Sequence, residues 1–225
     1  MTFEGKTVLV TGGTKGIGRQ ITKDFINAGA KVLATGSSMV DFLDPSSIDK
    51  FIQSIQDLDI DICINNAGIN EVSPFCETAD QSWEDVLAVN LTGAYKITKA
   101  VAAGMVVRGS GKIINIASIW SHKSCKGRAA YSASKFGLRG LTQAVAAEVA
   151  SEGVLVNSVS PGFTRTSLTE RILGEDGIKE VESKIPLGRL ATPKDISNVV
   201  LFLSSDMNSY ISGQDILVDG GFMNV

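Results

Sequence analysis

The sequence lacks the features that mark secreted, membrane-spanning and metal-binding proteins. Its 225 residues include only three cysteines, Cys63, Cys76 and Cys125, at spacings that fit no metal site, and a single histidine. No apolar run approaches the ~20 residues of a membrane-spanning helix, and the first residues carry no basic stretch followed by a long apolar one. We therefore expect reduced thiols, no metal site, no membrane insertion and a cytoplasmic location.

The chain also lacks a strong excess of charge. Its formal net charge is -3, with 44% hydrophobic and 20% charged residues. This balance offers no electrostatic basis for binding nucleic acid or an anionic membrane, so we expect neither partner. The length suits one sizeable hydrophobic core, and no linker, repeat or low-complexity tract divides it. We therefore expect a single domain over residues 1–225.

Short apolar runs alternate with helical patterns along the whole chain. Ile17, Ile21 and Phe25, for example, recur at helical spacing after the first run. Runs that are apolar at every position are typical of parallel strands, which are buried on both faces. The alternation predicts an α/β fold with a doubly wound parallel sheet. The predicted strands are Lys6–Val10, Lys31–Thr35, Ile60–Ile64, Lys112–Ile116, Val154–Val159 and Asp215–Val218.

The connection after the second of these strands is short. Asp44 and Pro45 are typical of a helix start, as the N-cap and the first helical residue. Only residues 36–43 remain for a further strand and its crossover, although a parallel crossover needs about a dozen residues or more. We predict that a helix is missing here, that Met39–Phe42 forms at most a stub of edge strand, and that the sheet is trimmed at this edge.

A glycine-rich loop follows the first predicted strand. The stretch TGGTKGIGR at 11–19 places Gly12, Gly16 and Gly18 between that strand and an amphipathic helix. Glycine lets the chain turn tightly and lets backbone N–H groups approach an anion at the positive end of a helix. In this position the loop predicts a site for the pyrophosphate of a dinucleotide.

The end of the second strand bears on the choice of dinucleotide. An NAD site usually has an acidic residue there, which binds the ribose hydroxyls. Here Ser37 and Ser38 follow the strand, and no carboxylate occurs before Asp41, whereas Lys15 lies in the glycine loop. Lys15 is placed to meet a 2′-phosphate, with the alternative that it is a solvated surface charge. We therefore predict a preference for NADP(H) over NAD(H).

Tyr131 and Lys135 stand four residues apart in the stretch AYSASKFG. Residues at this spacing share one helix face, and an adjacent ammonium lowers the pKa of a phenol from its ordinary ~10 toward a range useful for proton transfer. Ser118 and the INNAG stretch ending at Gly68 each follow a predicted strand, at the edge where parallel sheets bind ligands. The pair alone also fits an exposed helix turn, whereas its occurrence with the glycine loop indicates a catalytic site.

Together these motifs resemble the short-chain dehydrogenase/reductase family. They are TGGTKGIG at 11–18, NNAG at 65–68, Asn90 in VNLTG, Ser118, YSASK at 131–135, PGFTRT at 161–166 and DGG at 219–221. The similarity covers essentially the full chain and is closest to the β-ketoacyl reductase-like branch. It implies a Rossmann-type sheet of about six to seven strands, an NAD(P)(H) cofactor and a Ser–Tyr–Lys centre assisted by an asparagine.

The resemblance implies roles for the matching residues. Tyr131 would donate a proton to a carbonyl oxygen as hydride arrives, or accept one in the reverse direction. Ser118 would polarise that oxygen. Lys135 would hold the nicotinamide ribose and depress the pKa of Tyr131, and Asn90 would hold a water that links Lys135 to solvent.

The resemblance also implies cofactor contacts beyond the glycine loop. Asp41 and Phe42 match the pair that contacts adenine, and residues 161–166 match the segment that holds the carboxamide. The full set of expected cofactor-binding residues is Gly12, Thr14, Lys15, Gly16, Ile17, Gly18, Ser37, Ser38, Asp41, Phe42, Asn66, Ala67, Gly68, Tyr131, Lys135, Pro161, Gly162, Thr164 and Thr166.

Three segments bear on the substrate. Residues 166–186 match a mobile lid of the family, with an ordinary surface helix pair as the alternative. Gly109 and Glu152 occupy positions where β-ketoacyl carrier-protein reductases have arginines near the cleft mouth, and Glu152 would repel an acidic carrier. The loop at 119–128 is polar and basic, which suits a polar or anionic ketone such as a sugar derivative, or is simply solvated.

The chain is therefore predicted to be an NADP(H)-dependent oxidoreductase that interconverts a ketone and a secondary alcohol, with Tyr131 as general acid and base. A β-ketoacyl reductase acting on carrier-protein or CoA thioesters is the alternative for the specific activity. A cofactor-binding regulator and a nucleotide-sugar epimerase are alternatives from other classes. Retention of both Tyr131 and Lys135 disfavours the regulator.

Small residues on the helix after the YSASK motif bear on assembly. Ala144, Ala146 and Ala147 lie beside its apolar stripe and allow close approach of another helix. The resemblance implies a dimer or tetramer, because members of the family usually assemble through this helix and the long helix before it, so we expect a homo-dimer or homo-tetramer. The alternative is a helix that packs only on its own sheet.

Overall fold

Six parallel strands form one sheet in a computed structural model that describes residues 1–225. They are β1 (Thr7–Val10), β2 (Lys31–Ala34), β3 (Ile62–Asn65), β4 (Gly111–Ile116), β5 (Val154–Pro161) and β6 (Asp215–Val218). Their order across the sheet is β2-β1-β3-β4-β5-β6. The strand order reverses between β1 and β3, which makes the sheet doubly wound and places a ligand crevice at that point. The predicted α/β fold is confirmed.

Seven α-helices cover the two faces of the sheet. They are α1 (Gly16–Asn27), α2 (Pro45–Ile55), α3 (Asp80–Leu87), α4 (Ala94–Arg108), α5 (Ala129–Val149), α6 (Ser167–Lys184) and α7 (Pro193–Ser204). Successive strand residues point to opposite faces. Leu9 packs in one core cluster with Phe51 of α2, whereas Val8 packs in the other with Phe25 of α1 and Ile196 of α7. None of these helices is both long and apolar enough to cross a membrane.

Residues 36–43 join β2 to α2 through turns alone. The Met39 and Val40 N–H groups donate to the Gly36 carbonyl oxygen at 2.9 and 3.1 Å, and Asp44 caps α2 as expected. No helix and no further strand lie between β2 and α2, so β2 is the edge of the sheet. The prediction of a missing helix and a shortened sheet edge is confirmed. Met39–Phe42 does not form even a stub of strand, because Val40 and Phe42 turn inward and join the core.

Helix α6 is bent at Gly174, where φ is 63° and ψ is -179°. Thr166 caps its first turn by accepting a hydrogen bond from Thr169 N at 3.3 Å. Beyond the bend, Ile178 packs with Ile185 and Leu190 in a small core cluster separate from the main ones. The segment expected to be a lid is therefore one kinked helix with its own apolar anchor, and its mobility stays a prediction.

Candidate active site

The glycine loop between β1 and α1 packs against the segment that follows β3. Thr11 Oγ1 accepts hydrogen bonds from Asn66 N at 3.0 Å and Ala67 N at 3.1 Å, and the Asn66 side-chain amide donates to the Thr11 and Gly12 carbonyl oxygens at 3.0 Å. A Cβ on Gly12 would lie 2.9 Å from Ala67 Cα, and one on Gly18 would overlap the Asn66 amide. The loop can therefore approach this segment only because these positions are glycine.

The start of α1 fits an anionic group. Lys15 is the N-cap residue, and its side chain accepts no hydrogen bond from the helix. The first turn, Gly16, Ile17 and Gly18, contains no acidic residue. Its N–H groups therefore have no capping side chain as partner and remain free for an external acceptor. A helix N-terminus at the end of a glycine loop is a recurring site for the phosphates of a dinucleotide. The glycine cradle and this uncapped helix start thus fit the pyrophosphate of NAD(P).

The segment after β5 closes over the same loop. Gly162 N donates to the Val218 carbonyl oxygen at 2.9 Å, and Thr164 Oγ1 donates to the Gly162 carbonyl oxygen at 3.2 Å. A Cβ on Gly16 would lie 3.6 Å from Thr166 Cγ2. The structure therefore brings the stretch that begins at Pro161 to the glycine loop, as expected, and its contact with a carboxamide stays a prediction.

Polar side chains surround the site expected for a 2′-phosphate. Thr14 lies against the end of β2, since a Cβ on Gly36 would be 3.1 Å from the Thr14 side chain. Lys15, Ser37 and Ser38 are exposed, and their side chains form no hydrogen bond or ion pair within the protein. These groups are therefore free to meet a ligand at the loop, which leaves their predicted roles open to test.

The expected adenine-contacting pair is held by the protein itself. Asp41 is exposed, and its Oδ1 accepts a hydrogen bond from Leu43 N at 2.9 Å. Phe42 is buried in the core with its ring against Gly93. The Phe42 ring is therefore mostly unavailable to a ligand, because the shortened connection draws it inward. An adenine contact by Asp41 or by the Phe42 backbone stays a prediction.

Ser118 follows β4 and caps a short 3₁₀ helix of one turn, Ile119–Ser121. Its Oγ accepts a hydrogen bond from Trp120 N at 3.2 Å, and the side chain is buried. Ser121 Oγ donates to the Ser118 carbonyl oxygen at 2.6 Å, which fixes the turn. The hydroxyl of Ser118 can still donate, and its hydrogen bonding to Tyr131 acts to lower the pKa of that phenol.

Tyr131 and Lys135 share one face of α5, with Lys135 Nζ 5.6 Å from the centre of the Tyr131 ring. Lys135 is buried, its Nζ donates to the Ile116 carbonyl oxygen at 2.8 Å, and burial lowers its pKa from 10.5 to about 8. Burial raises the pKa of Tyr131, and Ser118 and the charge of Arg128 offset only part of the rise. The expected lowering of the Tyr131 pKa is thus wrong, because desolvation of the phenol dominates.

Asn90 lies in a π-helical segment, Ala88–Gly93, between α3 and α4. Its Oδ1 accepts from Ile69 N at 2.8 Å, and its Nδ2 donates to the Ile69 carbonyl oxygen at 2.9 Å and to Ser134 Oγ at 3.0 Å. A Cβ on Gly68 would lie 3.3 Å from Asn90 Oδ1 and 3.7 Å from Lys135 Nζ. Asn90 is therefore next to Lys135, and a water-mediated link between them stays a prediction.

Asp215, the first residue of β6, was not among the predicted site residues. Its side chain is 4% exposed and accepts hydrogen bonds from Ser121 Oγ at 3.1 Å and Ser160 Oγ at 2.8 Å, while His122 Nε2 lies 2.8 Å away. Asp215 thereby anchors the turn that carries Ser118. The signal that could have identified it is an acidic residue at the start of an otherwise apolar strand pattern.

The basic loop at 119–128 is partly held by internal contacts. His122 pairs with Asp215, and Lys123 Nζ lies 4.4 Å from the centre of the Phe222 ring. Arg128 differs, because its Nη1 is buried and has no hydrogen-bond partner. The loop is therefore not simply solvated.

Gly109 and Glu152 lie at the opposite end of the sheet from Ser118 and Tyr131. Gly109 comes just before β4 and Glu152 just before β5, and Gly153 packs against the Gly109 carbonyl oxygen. The expectation that these positions border the cleft mouth is therefore wrong within one chain. The amino ends of parallel strands form one edge of the sheet, whereas the site lies beyond the carboxyl ends.

Comparisons with known proteins agree with this geometry. A family model described as enoyl-(acyl carrier protein) reductase matches residues 34–223, and one described as short chain dehydrogenase matches residues 6–42. The 3-oxoacyl-[acyl-carrier-protein] reductase FabG of Salmonella typhimurium is 37% identical over 245 residues, covering 100% of both chains.

Solved structures share the fold over the full chain. A provisionally named NAD(P)-dependent gluconate 5-dehydrogenase from Beutenbergia cavernae, with bound NADP, has a TM-score of 0.95 and 35% identity, covering 100% of this chain and 99% of that one. A gluconate 5-dehydrogenase from Burkholderia cenocepacia, in complex with NADP and tartrate, has a TM-score of 0.90 and 26% identity, covering 100% and 97%. The chain therefore belongs to the short-chain dehydrogenase/reductase family of oxidoreductases.

Proposed function

We propose that this oxidoreductase interconverts a ketone and a secondary alcohol, with NADP(H) as cofactor and Tyr131 as general acid and base. The observation that carries the proposal is the grouping of Ser118, Tyr131 and Lys135 beyond the carboxyl ends of the strands, with the glycine loop at the same edge. Such a grouping supplies a proton donor, a polarising hydroxyl and a cation at one place. These are the groups that hydride transfer to a carbonyl requires from the protein.

The side chains of the protein transfer the proton and stabilise the developing charge, whereas the hydride comes from the cofactor. When bound, NADPH supplies the hydride that forms the new carbon–hydrogen bond at the carbonyl carbon. Tyr131 gives its proton to the carbonyl oxygen, so its O–H bond breaks as that of the alcohol forms. Because burial raises the pKa of Tyr131, the phenol is protonated at neutral pH and ready to act as the acid. Ser118 donates to the same oxygen and stabilises the negative charge that develops there.

Lys135 has two tasks in this mechanism. Its ammonium, held at the Ile116 carbonyl oxygen, would bind the ribose hydroxyls of the cofactor and stabilise the Tyr131 phenolate left after proton transfer. With a pKa of about 8, Lys135 is charged at neutral pH and is able to return a proton to the phenolate. Asn90 holds the backbone of Ile69, and the preceding Gly68 lies close to Lys135, since a Cβ on Gly68 would be 3.7 Å from Lys135 Nζ.

The most direct test is Tyr131→Phe, which removes the acidic hydroxyl and keeps the ring. We expect kcat for ketone reduction to fall by roughly 100-fold to 10,000-fold, the usual contribution of a general acid, while the Kd for NADPH stays within about twofold. Tyr210 is 99% exposed, so Tyr210→Phe is the matched control and should keep full activity. Full activity in Tyr131→Phe would contradict the proposal.

The cofactor preference rests on Lys15, Ser37 and Ser38, which are exposed and unpaired, and on the lack of a carboxylate between β2 and Asp41. The two neighbouring structures described above contain NADP. We expect kcat/KM to be at least about tenfold higher with NADPH than with NADH, because a lysine beside a phosphate forms a charge-assisted contact.

Lys15→Ala should reduce that preference severalfold and leave kcat/KM for NADH nearly unchanged. Lys23→Ala, which removes an exposed lysine within α1, is the control and should leave the preference intact. A wild-type enzyme that uses NADH more efficiently would overturn the assignment.

The relatives point to two classes of ketone. Full-length similarity to a 3-oxoacyl-[acyl-carrier-protein] reductase favours a β-ketoacyl thioester, whereas the gluconate 5-dehydrogenase neighbours favour a sugar acid. The family assignment supports neither the regulator nor the epimerase alternative. Following NADPH absorbance with acetoacetyl-CoA, 5-keto-D-gluconate and L-sorbose would distinguish the two ketone classes.

The location of the protein is a further part of the proposal. Cys76 and Cys125 are exposed and unpaired, and Cys63 is buried with its pKa raised to about 12 by that burial. Free thiols in this number suit a reducing compartment, so we propose the cytoplasm. Exclusive recovery of the protein from an oxidising compartment would contradict this.

A further inference from the structure

Arg128 lies one helical turn from Tyr131, on the side away from Lys135. It precedes α5, and Ser132 N donates to its carbonyl oxygen at 2.7 Å, so Arg128 is already held in the helical turn. Residues three or four apart lie on the same side of a helix. Lys135 is one turn beyond Tyr131 and belongs to the ribose end of the cleft. Arg128 therefore lies on the side of Tyr131 opposite to the expected ribose site.

The guanidinium of Arg128 has a donor without a partner. Its Nη1 is buried and makes no hydrogen bond within the protein, and Arg128 forms no ion pair. Its positive charge nevertheless reaches the Tyr131 phenol and acts to lower its pKa. Buried polar atoms nearly always have a hydrogen-bond partner, because leaving one unpaired costs free energy. A ligand that brings an acceptor to this position removes that cost.

A second unpaired atom lies in the loop that contacts the Arg128 loop. Asn70 Oδ1 is buried and has no hydrogen-bond partner. The loop after β3, which carries Asn70, meets the loop before Arg128 where Ser73 N donates to the Gly127 carbonyl oxygen at 3.3 Å. A donor without a partner and an acceptor without a partner therefore lie on two loops that are hydrogen-bonded to each other.

No acidic side chain forms an ion pair with Arg128. Two other side chains of its loop have partners within the protein, since His122 pairs with Asp215 and Lys123 lies over the Phe222 ring, whereas Lys126 is exposed to solvent. Glu71, the acidic residue next to Asn70, accepts a hydrogen bond from Ser82 Oγ at 2.6 Å and forms no ion pair. Arg128 is thus left as an uncompensated cation beside the catalytic tyrosine.

We propose that Arg128 binds the carboxylate of the substrate, and that Asn70 accepts a hydrogen bond from a hydroxyl of the same molecule. The substrate would then be a small hydroxyketone acid, whose carbonyl reaches Tyr131 while its carboxylate pairs with the guanidinium. The planar fork of arginine matches a carboxylate in geometry as well as in charge. This inference rests on the proposed function, because it takes Tyr131 as the point of reaction.

Binding without turnover tests the anion site by itself. D-gluconate and D-sorbitol differ in a carboxylate at one end, and calorimetry in the presence of NADP⁺ measures the affinity of each. We expect the wild type to bind D-gluconate at least about tenfold more tightly than D-sorbitol. Arg128→Gln should reduce this ratio to within about twofold and leave the NADP⁺ affinity unchanged, and Arg128→Lys should retain part of it. Lys126→Gln, in the same loop and exposed, is the matched control and should keep the wild-type ratio.

Equal affinity of the wild type for the two polyols, undetectable D-gluconate binding, or an unchanged ratio in Arg128→Gln would overturn the proposal. Measurements of turnover distinguish failure of the anion site from failure of the proposed ketone reductase activity. The ketones 5-keto-D-gluconate and L-sorbose differ in the same way, and we expect kcat/KM to favour the acid by at least about tenfold in the wild type only. Reduction of both ketones with equal efficiency would overturn the anion site and leave the ketone reductase standing. Tight D-gluconate binding that needs Arg128, with no NADPH oxidation by any ketone, would support the anion site and contradict the reductase.

Discussion

At the scale of single residues, burial decides the protonation states of the site. It lowers the pKa of Lys135 to about 8 and raises the pKa of Tyr131, so that both groups shift toward their neutral forms. The common cause is the loss of solvent around a charge, which disfavours the ammonium and the phenolate alike. Tyr131 is therefore a ready acid at neutral pH, whereas Lys135 is charged at neutral pH but loses its proton within the mildly alkaline range.

The lowered pKa of Lys135 predicts a pH dependence of stability. Well below pH 8 the buried charge costs about 3.5 kcal/mol, because the pKa falls from 10.5 to about 8 and one pKa unit corresponds to about 1.4 kcal/mol. Between pH 8 and 10.5 the unfolded chain binds more protons than the folded one, so the free energy of unfolding rises with pH. Lys135→Met removes this contribution and keeps an unbranched side chain only one atom shorter.

Urea unfolding at pH 7.5 and pH 9.5 measures the effect. The stability of the wild type relative to Lys135→Met should increase by about 2 kcal/mol between these two pH values. Using the difference between the two proteins cancels the titration of all other groups. An identical pH dependence for both would show that Lys135 titrates normally in the folded protein.

At the scale of elements, the ends of strands and one irregular helix place the catalytic side chains. Ser118 stands where β4 ends, and Asn90 lies in the π-helical segment that leads into α4. Such π segments frequently occur at functional sites, because the widened turn redirects a side chain. Asp215 of β6 then holds the turn after Ser118 through Ser121. The position of the reacting groups thus depends on three elements that are distant in the chain.

Asp215→Asn tests this dependence. The amide keeps the size of the side chain and removes the charge that pairs with His122, so the turn carrying Ser118 should lose part of its support. We expect kcat/KM for ketone reduction to fall by roughly tenfold, since small misplacements of catalytic groups are costly, while the Kd for NADPH stays the same.

Thermal unfolding and NADPH binding would show whether the Asp215→Asn variant remains folded. Asp57→Asn removes an exposed carboxylate that forms no ion pair, and it should leave kcat/KM unchanged. Full activity in a folded Asp215→Asn variant would mean that Ser118 is positioned without Asp215.

At the scale of the whole molecule, the outer face of α5 is the expected assembly surface. Gly140, Ala144 and Ala147 are exposed there together with Phe136, which is 44% exposed. Ala146 is instead buried in the core, so of the three alanines expected to allow close helix approach only Ala144 and Ala147 are exposed. The small exposed residues lie about one turn apart, which leaves room for a second helix to approach closely.

Light scattering at micromolar concentration tests the assembly. We expect the mass of a dimer or a tetramer for the wild type and a smaller species for Ala144→Arg, because the long charged side chain would prevent close approach of two helices. Gln53→Arg introduces the same side chain on the exposed face of α2 and should not change the mass. A monomeric wild type would contradict the expected assembly.

Much of the fold could be predicted from the sequence, because it depends on neighbouring residues. All six strands were identified to within about two residues at each end, and Asp44 caps α2 as expected. The glycine loop and the four-residue spacing of Tyr131 and Lys135 are likewise local patterns, since a turn or a helix face is set within a few residues of chain. These patterns determined the fold class and the residues of the candidate centre.

Only the tertiary structure decided the pKa shifts and the hydrogen-bond partners of those residues. The direction of the Tyr131 pKa depends on how much of the chain surrounds the phenol, and the support of Ser118 depends on Asp215, which is far away in sequence. Likewise, Gly109 lies at the opposite sheet edge and Arg128 Nη1 has no partner, which no local pattern records. Burial and pairing are properties of residues that folding brings together, so a one-dimensional pattern identifies the groups but not the charges and contacts around them.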